Sequence, residues 1–291
     1  MKTVAQGFHE FQTQLTTPES ESFAAKSHRA SIEACLRGKF GLAAFFQSGS
    51  FGSGTNVPVH SDVDRFAVIP RESLPRNSRQ ALYKVRQALV ETFRTTKNIR
   101  TKPPAIVIPF GVDGLETTEV IPALDAGMHD DQRVYSIPDP GLSGNWILSA
   151  PQALRSHINE IDAFHDNKLK PLIRSLKAWK YHRNVQIQSI YLELACAALA
   201  REVGLLTTSI DIARVLHRMR NNRLAVAHDP IGLGDPIQPT RTASQMEAAL
   251  ARVTGGANQA TRAVVFELEC RVKPAFNTWK MFFGSRFPNP E

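Results

Sequence analysis

Two aspartates two positions apart, Asp62 and Asp64, stand in the run Ser61-Asp62-Val63-Asp64, shortly after the glycine-rich stretch Gly49-Ser50-Phe51-Gly52-Ser53-Gly54-Thr55. Side chains two apart on a strand share a face. With α-carbons about 6.5 Å apart, the two carboxylates can converge on a pair of divalent ions. The glycines let the backbone approach a ligand closely and aim N–H groups at it, which suits phosphate. Each feature alone is common: a D-x-D pair is usually two solvated carboxylates, and a Gly/Ser turn is usually a flexible loop. Joined in one strand–turn–strand unit, they point to nucleotidyl transfer.

The elements that must position these residues follow from periodicity. Leu42 to Phe46 reads as a short apolar strand before the turn, and the Asp-Val-Asp segment continues as a strand to Ile69. An amphipathic helix over 19–37, with Phe23, Ile32 and Leu36 among its apolar positions, leads into the first strand. A second helix from Leu74 to Phe93 carries Leu82, Val85, Leu89 and Phe93 at helical period. After a basic polar stretch, Arg94 to Lys102, the runs Ala105–Phe110 and Thr117–Ala123 flank the turn Val112-Asp113-Gly114 and read as a hairpin. That hairpin sets Glu119 on a strand beside the aspartates, where two-metal chemistry needs a third carboxylate. An exposed edge-strand glutamate is the bland alternative. Asp113 is the competing acid, placed behind Glu119 because turn aspartates usually serve the turn.

Residues 124–150 are rich in turn formers, with short strands at Val134–Ile137 and Trp146–Leu148, and helical patterns fill the chain from Pro151. The division is therefore an α/β lobe with an N-terminal helix over 1–150 and an α-helical lobe over 151–291. No flexible linker separates them, so they should pack as one unit around a cleft. In the helical lobe Leu169, Leu172, Ile173 and Leu176 form a core stripe. Lys170, Arg174, Lys177 and Tyr181 occupy another face, which would meet triphosphate oxygens in a cleft or else be a solvated basic face. A helix is expected over Thr207–Met219, and residues 240–283 read as two helices broken at Gly255-Gly256 with a kink at Pro274. His228 and Asp229, in a turn-rich segment with Asp235-Pro236, are outside candidates for the site.

The residues G-S-F-G-S-G-T followed by S-D-V-D resemble the signature of the DNA polymerase β-like nucleotidyltransferases. Within that superfamily the chain resembles the bacterial cGAS/DncV-like nucleotidyltransferases, which make cyclic oligonucleotide signals in anti-phage defence. T-T-E-V-I-P-A is similar to the family's third-acid strand, with Glu119 where many relatives have Asp. L-I-R-S-L-K-A-W-K resembles the segment whose lysine contacts the incoming triphosphate, which assigns Lys177; Q-S-I-Y-L-E-L-A resembles the next helix start, which assigns Ser189. Ser189 could equally cap its helix, and Tyr191 could stack on a base or belong to the core. Asp229-Pro230 and the ending F-G-S-R-F-P extend the likeness over nearly the whole chain.

The resemblance implies an α/β (α+β) fold, a polymerase β-like palm with a mixed sheet packed against a C-terminal helical lobe. It implies Mg2+, with Mn2+ as a substitute, held by Asp62, Asp64 and Glu119. Gly49, Ser50 and Thr55 would fix the phosphates with Lys177 and Ser189. The substrates would be nucleoside triphosphates (ATP, GTP or pyrimidine triphosphates), with a regulatory protein as a further partner and nucleic acid not required. The net charge of +8 suits either triphosphates or nucleic acid. Cys35, Cys196 and Cys270 are isolated, so neither a zinc module nor a disulfide framework is expected. No run approaches a membrane span and the N-terminus has no apolar signal core, which points to the cytoplasm. Two other classes compete: a transferase that tails RNA or tRNA or nucleotidylates a protein or small molecule, and an inactive nucleotide- or RNA-binding scaffold. The carboxylates at 62, 64 and 119 argue against the scaffold.

Overall fold

A computed structural model of the chain describes residues 1–16, 23–58, 63–110, 116–141, 143–233 and 236–291. The α/β part runs through α1 (Val4–Gln14), α2 (Phe23–Phe40), β1 (Ala44–Gln47), α3 (Gly49–Ser53), β2 (Val63–Val68) and α4 (Ser78–Thr92). It continues with β3 (Arg100–Lys102), β4 (Ala105–Phe110), β5 (Glu116–His129), β6 (Gln132–Pro138) and β7 (Trp146–Ser149). The strands form one mixed sheet in the order β1-β2-β5-β4-β3, with β6 on the distal half of β5 and β7 on β6. β2 and β5 are parallel, and the expected hairpin of 105–123 is present as antiparallel β4–β5.

Alternation decides which face each side chain takes. Ala67, Ile106, Ile108 and Val120 pack beneath α2 and α4 against Ile32, Leu36, Leu82, Val85 and Leu89. Phe66, Val68, Ala105, Ile121 and Ala123 form the opposite face. By the same period of two, Asp64 and Glu119 belong to that second face, which the helical lobe covers. The Gly/Ser stretch is more ordered than a loop: it forms the single-turn α3, closed by Gly54 at φ 69°. β3 is an element the basic composition of 94–102 hid.

The helical lobe comprises α5 (Pro151–Phe164), α6 (Leu169–His182), α7 (Ser189–Ala200), α8 (Thr208–Asn221), α9 (Ala243–Leu268) and α10 (Val272–Phe283). Two sequence expectations fail here. Gly255-Gly256 does not break its helix; Gly256 is where α9 meets the Trp179 ring, so closely that a β-carbon would lie 2.7 Å from Cζ2. Pro274 does not kink α10, because it falls in the first turn, where its missing N–H has no intrahelical partner to lose. The chain turns instead at Cys270, whose φ is 57°. The lobe's core is aromatic, built on Trp179, Trp279, Phe282 and Phe287. α1 contributes Phe8 and Phe11 to it, with Phe8 edge-on to Trp279 at 5.0 Å. By packing, residues 4–15 thus belong with the helical core, although the division at 150 counted them with the other lobe.

Candidate active site

Asp64 on β2 and Glu119 on β5 are α-carbon partners in the parallel pair. Neighbouring strands lie about 4.8 Å apart, so the two carboxylates leave the same face side by side. The turn before them is folded onto Asp64. Gly49 has φ 59°, and a β-carbon there would collide with the Asp64 carboxylate. Gly49 therefore needs to be glycine for its backbone and for its neighbour. The Ser48 amide donates to the Asp64 carbonyl at 2.9 Å, and the Thr55 amide donates to the Ser50 carbonyl at 2.9 Å, fixing both ends of the turn. Asp62, and the competing Asp113, lie outside the described residues.

Glu119 accepts a hydrogen bond from the Lys102 ammonium at 2.7 Å; the glutamate side chain is 13% exposed and the lysine 47%. Among the described residues no group of three or more His, Cys, Asp or Glu is placed to hold a metal. Asp64 and Glu119 nevertheless supply hard carboxylate oxygens from adjacent strands, a donor set that suits Mg2+ or Mn2+.

The facing wall is built by α6 and the start of α7, and there the basic row divides. Lys170 pairs with Asp162 at 3.5 Å. Arg174 donates to the Gly54 carbonyl at 2.7 Å. Lys177 donates to the Thr55 carbonyl at 3.1 Å, to Thr55 Oγ1 at 3.0 Å and to Glu193 Oε1 at 2.5 Å. The Thr55 hydroxyl donates to the same Glu193 oxygen at 2.7 Å. Lys177 and Thr55 are both fully buried. Expected to touch the triphosphate, they lie instead one layer behind the cleft, where Arg174 and Lys177 hold the Gly49–Thr55 turn from below. Only Tyr181, at the end of the row, reaches the cavity.

The α6 lysine that does reach it is Lys180, whose ammonium donates to Ser189 Oγ at 3.0 Å. Burial, followed by the nearby charges of Lys177 and Lys102, lowers its pKa to about 8. Ser189 is the first residue of α7, behind the cap residue Gln188. The cavity between the lobes measures about 720 Å3 and brings Gly49, Ser50, Asp64, Lys102 and Glu119 opposite Lys180, Tyr181, Ser189, Glu193 and Arg241. A second groove, of about 840 Å3 between α8 and α9, has no carboxylates in strand register.

Tyr191 is a core residue: its hydroxyl donates to the Ala225 carbonyl at 2.8 Å, and burial pushes its pKa up to about 12. Asp229 caps its own turn by accepting from the Ile231 amide, and neither it nor His228 lines the cavity. The sequence reading did not single out Lys102, Lys180, Glu193 and Arg241, which line this cavity. Lys180 stands in the same L-K-A-W-K run as Lys177, so the run was the signal and only the choice of lysine was open.

No family model and no curated protein matches the chain. Solved structures do. CdnC of E. coli MS115-1 with ATP is 15% identical, with a TM-score of 0.77 over 98% of this chain and 99% of that one. The CdnC:HORMA-deltaN complex of the same strain gives 15% identity and a TM-score of 0.75 over 98% of each chain. The Elizabethkingia meningoseptica CdnE cyclic dinucleotide synthase with GTP and Apcpp is 18% identical, with a TM-score of 0.66 over 87% of this chain and 97% of that one. The chain therefore has the α+β, mixed-sheet fold of the cGAS/DncV-like nucleotidyltransferases. Among the described residues no helix is long and apolar enough to cross a membrane.

Proposed function

We propose that this chain is a magnesium-dependent nucleotidyltransferase that joins nucleoside triphosphates into a short cyclic oligonucleotide signal, releasing pyrophosphate. The observation that carries this reading is the Asp64–Glu119 pair, in register on parallel strands with the Gly49 turn folded onto Asp64, opposite Lys180 and Ser189 across one cavity. The fold agrees, since CdnC was solved with ATP and CdnE is a cyclic dinucleotide synthase.

Asp64 and Glu119, with Asp62, would hold Mg2+, or Mn2+ in its place. When bound, the metal would lower the pKa of an attacking ribose hydroxyl and neutralise charge on the departing pyrophosphate. Gly49 and Ser50 present the turn's backbone to the phosphates, and Lys180 and Ser189 meet the triphosphate from the opposite wall. Arg174, Lys177, Thr55 and Glu193 keep the turn in shape from behind. No side chain needs to form a covalent intermediate, because positioning and charge stabilisation do the work. A regulatory protein is a fitting partner, as HORMA is for CdnC, and anti-phage signalling in the cytoplasm is the fitting setting. The net charge of +8 serves several triphosphate groups without requiring nucleic acid.

The test is incubation with the four labelled triphosphates and Mg2+, without any acceptor, followed by mass spectrometry. Pyrophosphate and a phosphatase-resistant product with no terminal phosphate are expected. A product that forms only when RNA, protein or a small-molecule acceptor is added would instead indicate a tailing or modifying transferase. Absence of any turnover would leave a nucleotide-binding scaffold.

A further inference from the structure

Glu119 stands where the resemblance leads one to expect an aspartate, and its partner supplies a reason. Lys102 is on β3, and β4 lies between it and β5. Arg100 pairs with Val107, which pairs with Glu119; Lys102 pairs with Ala105, two residues along. The period of two puts Lys102, Ala105, Val107 and Glu119 on one face, the face that carries Asp64. Two strand spacings separate β3 from β5, about 10 Å, so only two long side chains can meet across β4. They do meet, at 2.7 Å. An aspartate at 119 would stop one methylene short.

The two partners are also unequal. The glutamate is 13% exposed while the lysine is 47% exposed. A largely covered carboxylate beside Asp64 gains from a countercharge, whereas a half-exposed ammonium is already partly hydrated. We propose that Lys102 is a tethered counter-cation that holds the Glu119 carboxylate until a divalent ion takes it, so that loading of this site is coupled to release of Lys102. The inference rests on the metal-site reading above and deepens it. Lys102 also lines the cavity into which an incoming triphosphate would bring a replacement anion. Metal alone should then bind weakly, and metal with nucleotide should bind together.

The test is Mn2+ binding to the full chain without nucleotide, followed by electron paramagnetic resonance. If the latch closes most molecules, Lys102→Met and Lys102→Gln should bind Mn2+ about three- to tenfold more tightly than wild type. Lys102→Arg, which keeps the charge, should stay within about twofold of wild type. Lys180→Met removes a charge from the same cavity without touching Glu119 and should gain less Mn2+ affinity than either charge-removing Lys102 variant. Adding Glu119→Gln to Lys102→Met should erase the gain. Unchanged affinity in both charge-removing variants, or an equal gain in Lys180→Met, overturns the latch while leaving the metal site standing. Failure of wild type and every variant to bind Mn2+ overturns both.

Discussion

The two walls of the cleft place their functional groups by different rules. On the sheet wall, position follows from a period of two and a strand pairing: Asp64 and Glu119 face the cavity because Phe66, Val68, Ile121 and Ala123 share their face. On the helical wall, Lys177 and Lys180 are three residues apart and lie on neighbouring sides of one helix, yet their environments differ completely. Lys177 is buried in an ion pair with Glu193 and two bonds to Thr55, whereas Lys180 reaches the cavity and Ser189. A strand offers a side chain two directions. A helix offers a continuum, and the choice is made by what packs against it. Here the Gly49–Thr55 turn itself packs against α6 and takes Arg174 and Lys177 for its own support.

The largest effect expected from this contrast is on the sheet wall. Asp64→Asn should lower turnover by roughly 10²–10³-fold or more, as for loss of a principal electrostatic group in an active site. Circular dichroism and melting temperature should be unchanged, because the side chain serves the site and not the core. Asp62→Asn is expected to behave the same way. An active Asp64→Asn enzyme would remove the sheet wall from the chemistry.

On the helical wall the next largest effect is structural. Lys177→Met leaves Glu193 buried without its countercharge, and breaking a buried pair costs about 3–5 kcal/mol. For a chain of this size that is a drop in melting temperature of roughly 10 °C, measurable by calorimetry. Replacing both partners, Lys177→Met with Glu193→Leu, should recover part of the loss. A Lys177 variant that melts normally but binds nucleotide poorly would return this lysine to the cleft.

Lys180 should show the reverse pattern. Lys180→Met should weaken triphosphate binding by about 10- to 100-fold, the worth of a charge-assisted hydrogen bond. Its melting temperature should not fall, because burial of the ammonium works against the folded state. The lowered pKa fixes the sign of two pH effects. The folded chain releases this proton near pH 8, against an ordinary value of 10.5, so the stability penalty is full below about 8 and is relieved as pH rises toward 10.5. Triphosphate affinity in metal-free buffer should run the other way, falling as pH rises through about 8 and the charged form is lost. Titration calorimetry across that window checks it, and Lys180→Met should give a flat profile. The smallest effect is expected from Ser189→Ala, a single neutral hydroxyl worth about three- to tenfold in triphosphate affinity.

What could be read from the sequence follows the same division. The hairpin and the register of Glu119 beside Asp64 came from alternation and one turn. β3 escaped because three polar residues, Arg100, Thr101 and Lys102, have no apolar alternation to show. With it went Lys102, which pairs with Glu119. The unbroken α9 was unreadable because the requirement at Gly256 is set by Trp179, on a distant helix. Likewise, nothing local in α1 says that Phe8 and Phe11 will pack on α10 and not on the sheet. Local rules gave the elements and the strand site, and contacts between elements decided which lysine does what.

The most direct test of these assignments is diffraction from crystals grown with Mn2+ and a non-hydrolysable triphosphate, using the anomalous signal of the metal. The account predicts metal bound to Asp64 and Glu119, triphosphate oxygens on Lys180 and Ser189, and Lys177 still paired with Glu193 behind the turn. Triphosphate oxygens on Lys177, or metal that avoids Glu119, would contradict it.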